Sequence, residues 1–377
     1  MLVRTPIGFA PNELAIAPRP VEGELTSSWL QRVAAANLVR LEELLSGLID
    51  VAPEVQSLPN VCLDHDLDPA WSRALAIWCR LADSRVHALD LVNLFPGREP
   101  NWFVHANAAS RDTWNSRSGS VWWLAFSFCP RCLDQQVKDG LPVHRRAKWT
   151  LAFLTHCPQH QDEPLYHYCL CCHREEPLWS IVRAGRSEEV RCGHCGLALH
   201  HWPRAHLEQF SPSLQLTLRL ESTVLGCLGG QAPDPFWVGN VDADTFANLV
   251  SELFALLLQR DRQGVLALAD YIEATDWWDD HGLGHEGVTT LDHIQHWASR
   301  LKVVASVAKC LLGERCLEFF RFRGLSSVGQ RDLYPFAILL RALPVERREE
   351  LVRRAQNWPD PLAEQVARID IKQSTIN

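Results

Sequence analysis

No apolar run in this chain of 377 residues is long enough to cross a bilayer. The longest, such as 246–258, are broken by polar residues and fall short of the ~20 that a membrane helix needs. Positive charge is also scarce. The net charge is −8, and only residues 129–195 carry a slight positive balance. Phosphate contacts dominate nucleic-acid affinity, so a protein acting alone on DNA normally shows a basic face. The charge balance therefore favours protein partners. No H-E-x-x-H motif is present, and the pair His285-Glu286 stands alone as a polar loop. There is no fixed-period repeat and no low-complexity tract, which excludes solenoids and unstructured tails of that kind. Met1–Gly8 has one arginine and no apolar core of the needed length, so no secretory signal is read and a reducing cytosol is expected.

What the chain does have is four Cys/His pairs with the same two-residue gap. They are Cys129-Pro-Arg-Cys132, Cys157-Pro-Gln-His160, Cys169-Leu-Cys-Cys172 and Cys192-Gly-His-Cys195. A C-x-x-C turn aims two side chains at one centre while local N–H groups face the sulfurs, and two such turns complete a tetrahedral shell. In chain order the first site is Cys129, Cys132, Cys157 and His160, and the second is Cys169, Cys172, Cys192 and Cys195. Two structural Zn²⁺ ions are expected. The stretches between the half-sites, 133–156 and 173–191, can each hold a hairpin or a short helix. In the run Cys169–His173, Cys171 or His173 could replace a named ligand, and spacing does not decide between them.

A catalytic zinc keeps an open position and usually a carboxylate base nearby. Four donors per site fill both shells, so both ions read as structural and no catalytic residue is assigned. The other cysteines (Cys62, Cys79, Cys171, Cys227, Cys310 and Cys316) read as scattered core thiols. Arg145, Arg146 and Lys148 form the one basic cluster and are the candidate nucleic-acid contacts.

The composition is 47% hydrophobic, enough for two or three ordinary cores. Pro6, Pro11, Pro18 and Pro20 keep the opening extended over the first domain. Ser27 or Ser28 is the expected cap of a helix with Trp29, Leu30, Val33 and Ala34 on one face. A second helix carries Leu41, Leu44, Leu45 and Leu48 and is expected to end at Gly47 and the turn 50–53. A further pair, 71–81 and 85–94, resembles a helix-turn-helix with Leu75, Trp78, Leu81, Val86, Leu89 and Val92 buried. Residues 95–120 read as an irregular connection. Residues 145–155 have helical spacing of Trp149, Phe153 and Leu154, with Arg145 and Lys148 expected to point outward. Beyond His200, helices are expected over 244–258, 263–274, 291–308, 333–342 and 346–356, interrupted at 233–235 and 282–287. The expected class is mainly α, with a small β-containing double zinc-binding module and helical, helix-turn-helix-like domains on either side. The expected boundaries are 1–120, 121–205 and 206–377.

The opening Arg19-Pro20, Gly23-Glu24-Leu25-Thr26-Ser27-Ser28-Trp29-Leu30, Arg32, Ala34 and Asn37 resembles the start of the TniQ family of bacterial transposition proteins. Cys129-Pro130-Arg131-Cys132-Leu133, Trp149, Cys157-Pro158-Gln159-His160 and the two later pairs follow in the order that the family shows. The ordered likeness covers residues 19–195. More loosely, Leu343-Pro344-Val345-Glu346-Arg347 and Trp358-Pro359 resemble the helical tail of longer members. The resemblance implies a target-site selector or adaptor, linking a target-recognition device to an AAA+ ATPase that regulates transposition. That device would be DNA read directly, or a CRISPR effector complex with its guide RNA, in some cases with a homodimer. It also implies a cytoplasmic protein, nucleoid-associated when engaged on target DNA. Two rival classes are a zinc-finger transcription regulator, which needs a basic recognition face, and a zinc hydrolase, which needs an open metal site.

Overall fold

The computed structural model describes residues 13–55, 61–98, 102–103, 121–122, 127–166, 168–169, 171–172, 179–184, 187–200, 212–233, 241–257, 297–312, 345–358, 363–364 and 366–367. The chain divides into two compact units, Met1–Ala205 and His206–Asn377. No helix among the described residues is long and apolar enough to cross a membrane.

In the first unit the prolines decide how the chain begins. Residues 14–20 contain no helix or strand, as fixed proline φ angles and missing N–H groups require. Their polar groups are met by the helices instead. The N–H of Leu14 donates to the Trp78 carbonyl at 2.9 Å. Asn37 serves both backbone groups of Ile16, at 3.3 Å and 2.6 Å. The Trp29 indole N–H donates to the Pro18 carbonyl at 2.8 Å.

Helix α1 (Thr26–Ala36) packs on helix α2 (Leu41–Val51), and α2 on α3 (Pro69–Trp78). Trp29, Leu30, Val33, Leu44, Leu45, Leu48, Trp71, Leu75 and Trp78 join one buried cluster, the apolar stripe expected of amphipathic helices. Two expectations change here. The N-cap of α1 is Leu25, with no side-chain cap, so Ser27 and Ser28 lie inside the first turn. Gly47 lies within α2 rather than ending it, because Trp78 packs over it; a Cβ there would meet the indole at 3.5 Å.

Asp68 caps α3 by accepting from the Ala70 N–H, with Pro69 at the first helical position. The expected helix over 85–94 is two short ones, α4 (Asp83–His87) and α5 (Leu91–Leu94). Asp90 is the reason. Its carboxylate accepts from the N–H groups of Asp66, Leu67 and Val92, so it caps α5 while fastening the loop before α3. Val86 and Leu89 are buried and Leu81 partly so, whereas the break leaves Val92 exposed. Strands β1 (Val61–Cys62) and β2 (Val121–Trp122) pair in parallel. Of the expected connection 95–120, only 95–98 and 102–103 lie within the described residues.

The ligand-bearing part holds α6 (Pro130–Lys138) and an antiparallel hairpin. The hairpin comprises β3 (Trp179–Ala184) and β4 (Ser187–Cys192), in register from Trp179↔Cys192 to Ala184↔Ser187. The helix expected over 145–155 is only a 3-10 turn at Ala147–Thr150. Ala147 and Trp149 through Thr155 are all buried, so no polar helix face exists. Their backbone groups go to other segments. Ala147 N–H donates to Gly23 O, Ala152 N–H to Trp102 O, and Leu151 bridges Phe103.

In the second unit, α7 (Pro212–Leu228), α8 (Ala243–Leu257) and α9 (Trp297–Leu312) pack pairwise. Leu220, Val224, Phe246, Val250, Leu253, Val303, Val307 and Leu311 are buried on them. Glu221 and Arg300 are buried as well, and their opposite charges interact across α7 and α9. Helix α10 (Val345–Ala355) follows, with Arg354 reaching Glu252 at 2.8 Å. The expectations for 263–274, 282–287, 333–342 and His285-Glu286 lie outside the described residues.

The architecture is mainly helical, with a small β hairpin in the segment that bears the ligand pairs.

Candidate metal centres

The first cluster is assembled from two turns. Phe128 and Tyr166 form an antiparallel bridge, and Cys129 follows it as the N-cap of α6, whose first turn presents Cys132. Pro130 at the first helical position fixes that entry. The opposite turn closes with His160 N–H on the Cys157 carbonyl at 3.1 Å and Cys157 N–H on the Glu163 carbonyl at 2.9 Å. The N–H groups of Gln159 and His160 face the Cys157 sulfur. The resulting separations are 3.4 Å for Cys129 Sγ–His160 Nδ1 and 3.3 Å for Cys132 Sγ–His160 Nδ1. They are 3.5 Å for Cys132 Sγ–Cys157 Sγ and 3.7 Å for Cys157 Sγ–His160 Nδ1.

A tetrahedron with Zn–S and Zn–N bonds of ordinary length has S–S edges of about 3.8 Å and S–N edges of about 3.6 Å. The four donor atoms all lie within 4.8 Å of one another, so the set fits a tetrahedral ion. Without an ion the thiols compete for charge. S–H groups of Cys129 and Cys132 aimed at Cys157 draw its thiol down to about 2. The Cys129 thiol is held far up by donating to its neighbours. A divalent cation lets all three ionise together.

The second cluster is built on the hairpin. Cys192 ends β4, and its N–H donates to the Leu197 carbonyl at 2.9 Å. Gly196 turns the chain at φ +72, a left-handed angle that glycine adopts without strain, so that its N–H meets the Cys192 carbonyl at 2.8 Å. The N–H groups of Cys171 and Cys172 face the Cys169 sulfur, and those of Cys195 and His194 face that of Cys192. Cys169 Sγ is 3.6 Å from Cys195 Sγ, and Cys172 Sγ is 3.8 Å from Cys192 Sγ. Cys169, Cys172, Cys192 and Cys195 all fall within 4.8 Å, so Cys172 rather than Cys171 completes the group. His173, the other alternative, lies outside the described residues.

Between the first cluster and α1 lies a buried polar clamp. Gly23, at φ +70, lets the chain turn so that Glu24 points inward. The Glu24 carboxylate accepts from Val21 N–H, Ser28 Oγ and Arg32, the last at 2.8 Å with both side chains almost fully buried. Arg32 also reaches the Arg19 carbonyl, and its Nε stands 3.5 Å from Glu188 on β4. Ser27 donates through N–H and Oγ to Asp64, at 2.8 Å and 2.7 Å. Arg145 closes the set. Its N–H donates to Ser28 Oγ at 2.9 Å, its guanidinium donates to Ser27 Oγ at 2.7 Å, and its carbonyl accepts from Leu25 N–H. Burial pushes the Glu24 carboxyl up to about 7 against the pull of Arg32. It raises Asp64 too, against the pull of Arg145, and brings Arg145 itself down to about 9.

Residues 15–163 match the family model described as TniQ. That stretch of the chain is similar to the TniQ family. No curated protein matches the chain. The matched residues include α1, the clamp apart from Glu188, and the whole first cluster, and they stop before the second. The match supports an association with transposition.

The expectation for the basic cluster needs a correction. Arg145 does not point outward. It is buried among Ser27, Ser28 and Asp64, where a phosphate has no access. Arg146 is partly exposed and stacks over Trp149 at 6.0 Å, and Lys148 is exposed. Of the thiols expected in cores, Cys79 and Cys227 are buried, whereas Cys171 is exposed. Trp29 is core and Arg32 is a buried pairing residue. Asp64 and Asp90 escaped sequence reading, since a lone aspartate in a loop has no pattern that announces its partners.

His144 provides a pH test of this region. It packs against Gln136 of α6, and burial lowers its imidazole from 6.5 to about 4. The folded chain thus binds fewer protons here than the unfolded chain between those values. Stability is lost as pH falls through that window. His144→Gln is expected to lose less of its melting temperature than the parent between pH 7 and 4.5, read by thermal denaturation at each pH.

Proposed function

We propose that this chain is a member of the TniQ family and a target-selection adaptor of transposition. It holds two structural Zn²⁺ ions, through Cys129, Cys132, Cys157 and His160 and through Cys169, Cys172, Cys192 and Cys195. It links a target-recognition device to an AAA+ ATPase regulator. The single observation that carries the reading is the family match over 15–163. Two features support it physically. The clamp ties α1 to Arg145, which lies between the two halves of the first cluster, by buried hydrogen bonds beside the Arg32–Glu24 ion pair, as a rigid platform requires. Each cluster offers four donors, three thiols and an imidazole in the first and four thiols in the second, enough to fill a tetrahedral shell, which supports a binding role over a catalytic one.

In this reading the domains are 1–120, 121–205 and 206–377, and the zinc-bearing part presents surfaces to more than one partner. The recognition device is a DNA site or a guide-RNA effector complex, with a homodimer as the working form in the second case. Lys148 and Arg146 are the contacts offered to nucleic acid. The protein works in the cytoplasm and reaches the nucleoid through its target.

The deciding experiment is co-purification with the AAA+ ATPase encoded in the same mobile element, together with insertion mapping after gene deletion. The expected results are a stable complex and loss of target choice. Unchanged insertion frequency and site distribution after deletion would overturn the adaptor reading. The rival regulator class is tested on random duplex DNA. With a net charge of −8, the isolated protein is expected to bind it weakly at moderate salt. Tight binding with a steep salt dependence would favour a zinc-finger regulator.

A further inference from the structure

The hairpin is more than a carrier of Cys192. Strand β3 packs on α1 and strand β4 on α6, so the hairpin lies against both helices. Ile181 and Val190 stand opposite one another in its register and are buried, which marks one face as covered. Side chains alternate along a strand, so Glu188, Val190 and Cys192 share one face of β4. One end of that face supplies a metal donor. The other, about 13 Å away at the rise of a strand, brings the Glu188 carboxylate to within 3.5 Å of Arg32 Nε. Arg32 is the buried cation of the clamp, already held by Glu24 at 2.8 Å. The metal end is braced along the same strand. After the turn at Gly196 the chain runs back beside β4, with Ala198 bridging Arg191 and Leu199 N–H donating to the Val190 carbonyl at 2.9 Å. Cys192 and Cys195 frame that turn, so an ion bound by both fixes the brace.

We propose that the Arg32–Glu188 contact is an interlock through which the ion of the second cluster holds α1 in its clamp. This rests on the zinc reading above. Glu188 is not among the metal donors, so it acts as a positioning residue. With the ion bound, the brace keeps β4 in place and Glu188 adds a second carboxylate to Arg32. When the ion leaves, the ladder from Trp179 to Cys192 persists but loses its brace. The hairpin then parts from α1, and Arg32 is left with Glu24 and the Arg19 carbonyl. Coupling of this kind is reciprocal. Whatever the ion adds to docking of the hairpin on α1, docking adds to retention of the ion. The donors of the first cluster do not lie on the hairpin, so its ion is retained.

The test uses the full-length zinc-loaded protein, Cys195→Ser, and Glu188→Gln, which keeps the shape of the side chain and removes its charge. Zinc release to a chromogenic chelator is followed in time, and the ion kept by Cys195→Ser identifies the first site. Hydrogen exchange of α1 is read by mass spectrometry, with α9 of the second unit as reference. In Glu188→Gln the second ion is expected to leave about fivefold faster than in the parent, and the first at the parent's rate. In Cys195→Ser, α1 should exchange about fivefold faster while α9 is unchanged. A Glu188 side chain that only props α1 would, when changed, speed exchange there and leave zinc release as it was. Unchanged release of the second ion in Glu188→Gln, or unchanged α1 exchange in Cys195→Ser, would overturn the proposal. A purified chain without zinc would overturn the zinc reading and the interlock together, whereas two bound ions with unaltered release would overturn the interlock alone.

Discussion

Replacing Cys132 with serine is expected to remove one of two bound zinc ions and to unfold the first unit. The effect should be the largest of any single substitution in the chain. Binding of a structural zinc contributes roughly 10–16 kcal/mol in small domains, while whole domains are stable by only about 5–15 kcal/mol. Loss of the first ion therefore removes an energy comparable to all of the net stability. The fold amplifies it. Cys129 and Cys132 anchor the start of α6, and Cys157 ends the buried stretch that begins at Arg145. That stretch reaches Gly23 and Leu25 by backbone hydrogen bonds, so release of the ion frees the clamp on α1. Cys195→Ser should also cost one ion, yet with a smaller loss. Cys195 is exposed, and the hairpin keeps its own ladder from Trp179 to Cys192. The measurements are zinc content by atomic emission and loss of helical circular dichroism on titration with a strong chelator. The parent should contain two zinc ions per chain, and one or none would contradict the assignment.

The metal donors were legible because metal chemistry imposes spacing. Two residues between ligands is a covalent constraint, and it holds in the folded chain for all four pairs. Amphipathic helices were legible for the same reason: a 3.6-residue period places Leu44, Leu45 and Leu48 on one face whatever surrounds them. What sequence reading lost was long-range pairing of single polar groups. Arg145 looked like a surface cation because nothing near it in sequence is acidic, but its counter-charge, Asp64, lies far away along the chain. The same blindness turned 145–155 into a helix. Its apolar spacing is helical, yet all of the segment but Arg146 and Lys148 is buried and its backbone bonds go to Gly23 and Trp102. Ser27 or Ser28 is the cap that the sequence suggests, whereas both hydroxyls bond buried carboxylates.

Arg145 and Lys148 should therefore part company when each is changed. Arg145→Ala leaves the Asp64 carboxylate buried with its cation removed. Breaking such a pair from one side costs about 3–5 kcal/mol, because the remaining charge keeps only the Ser27 N–H and hydroxyl and has no counter-charge. The midpoint of urea denaturation should fall accordingly, and the variant should be thermally labile even with both zinc ions bound. Arg145→Ala combined with Asp64→Ala should recover part of the loss, since the orphaned charge is gone, and the coupling read from that double-mutant cycle measures the pair. Lys148→Ala, at an exposed position, should leave stability within about 0.5 kcal/mol of the parent. If this face meets nucleic acid, Lys148→Ala weakens that contact and lessens its salt dependence, since one phosphate neutralisation is lost. The opposite pattern, a stable Arg145→Ala protein that binds nucleic acid less well, would mean that the guanidinium leaves the clamp to reach a phosphate, and the buried assignment of Arg145 would not stand.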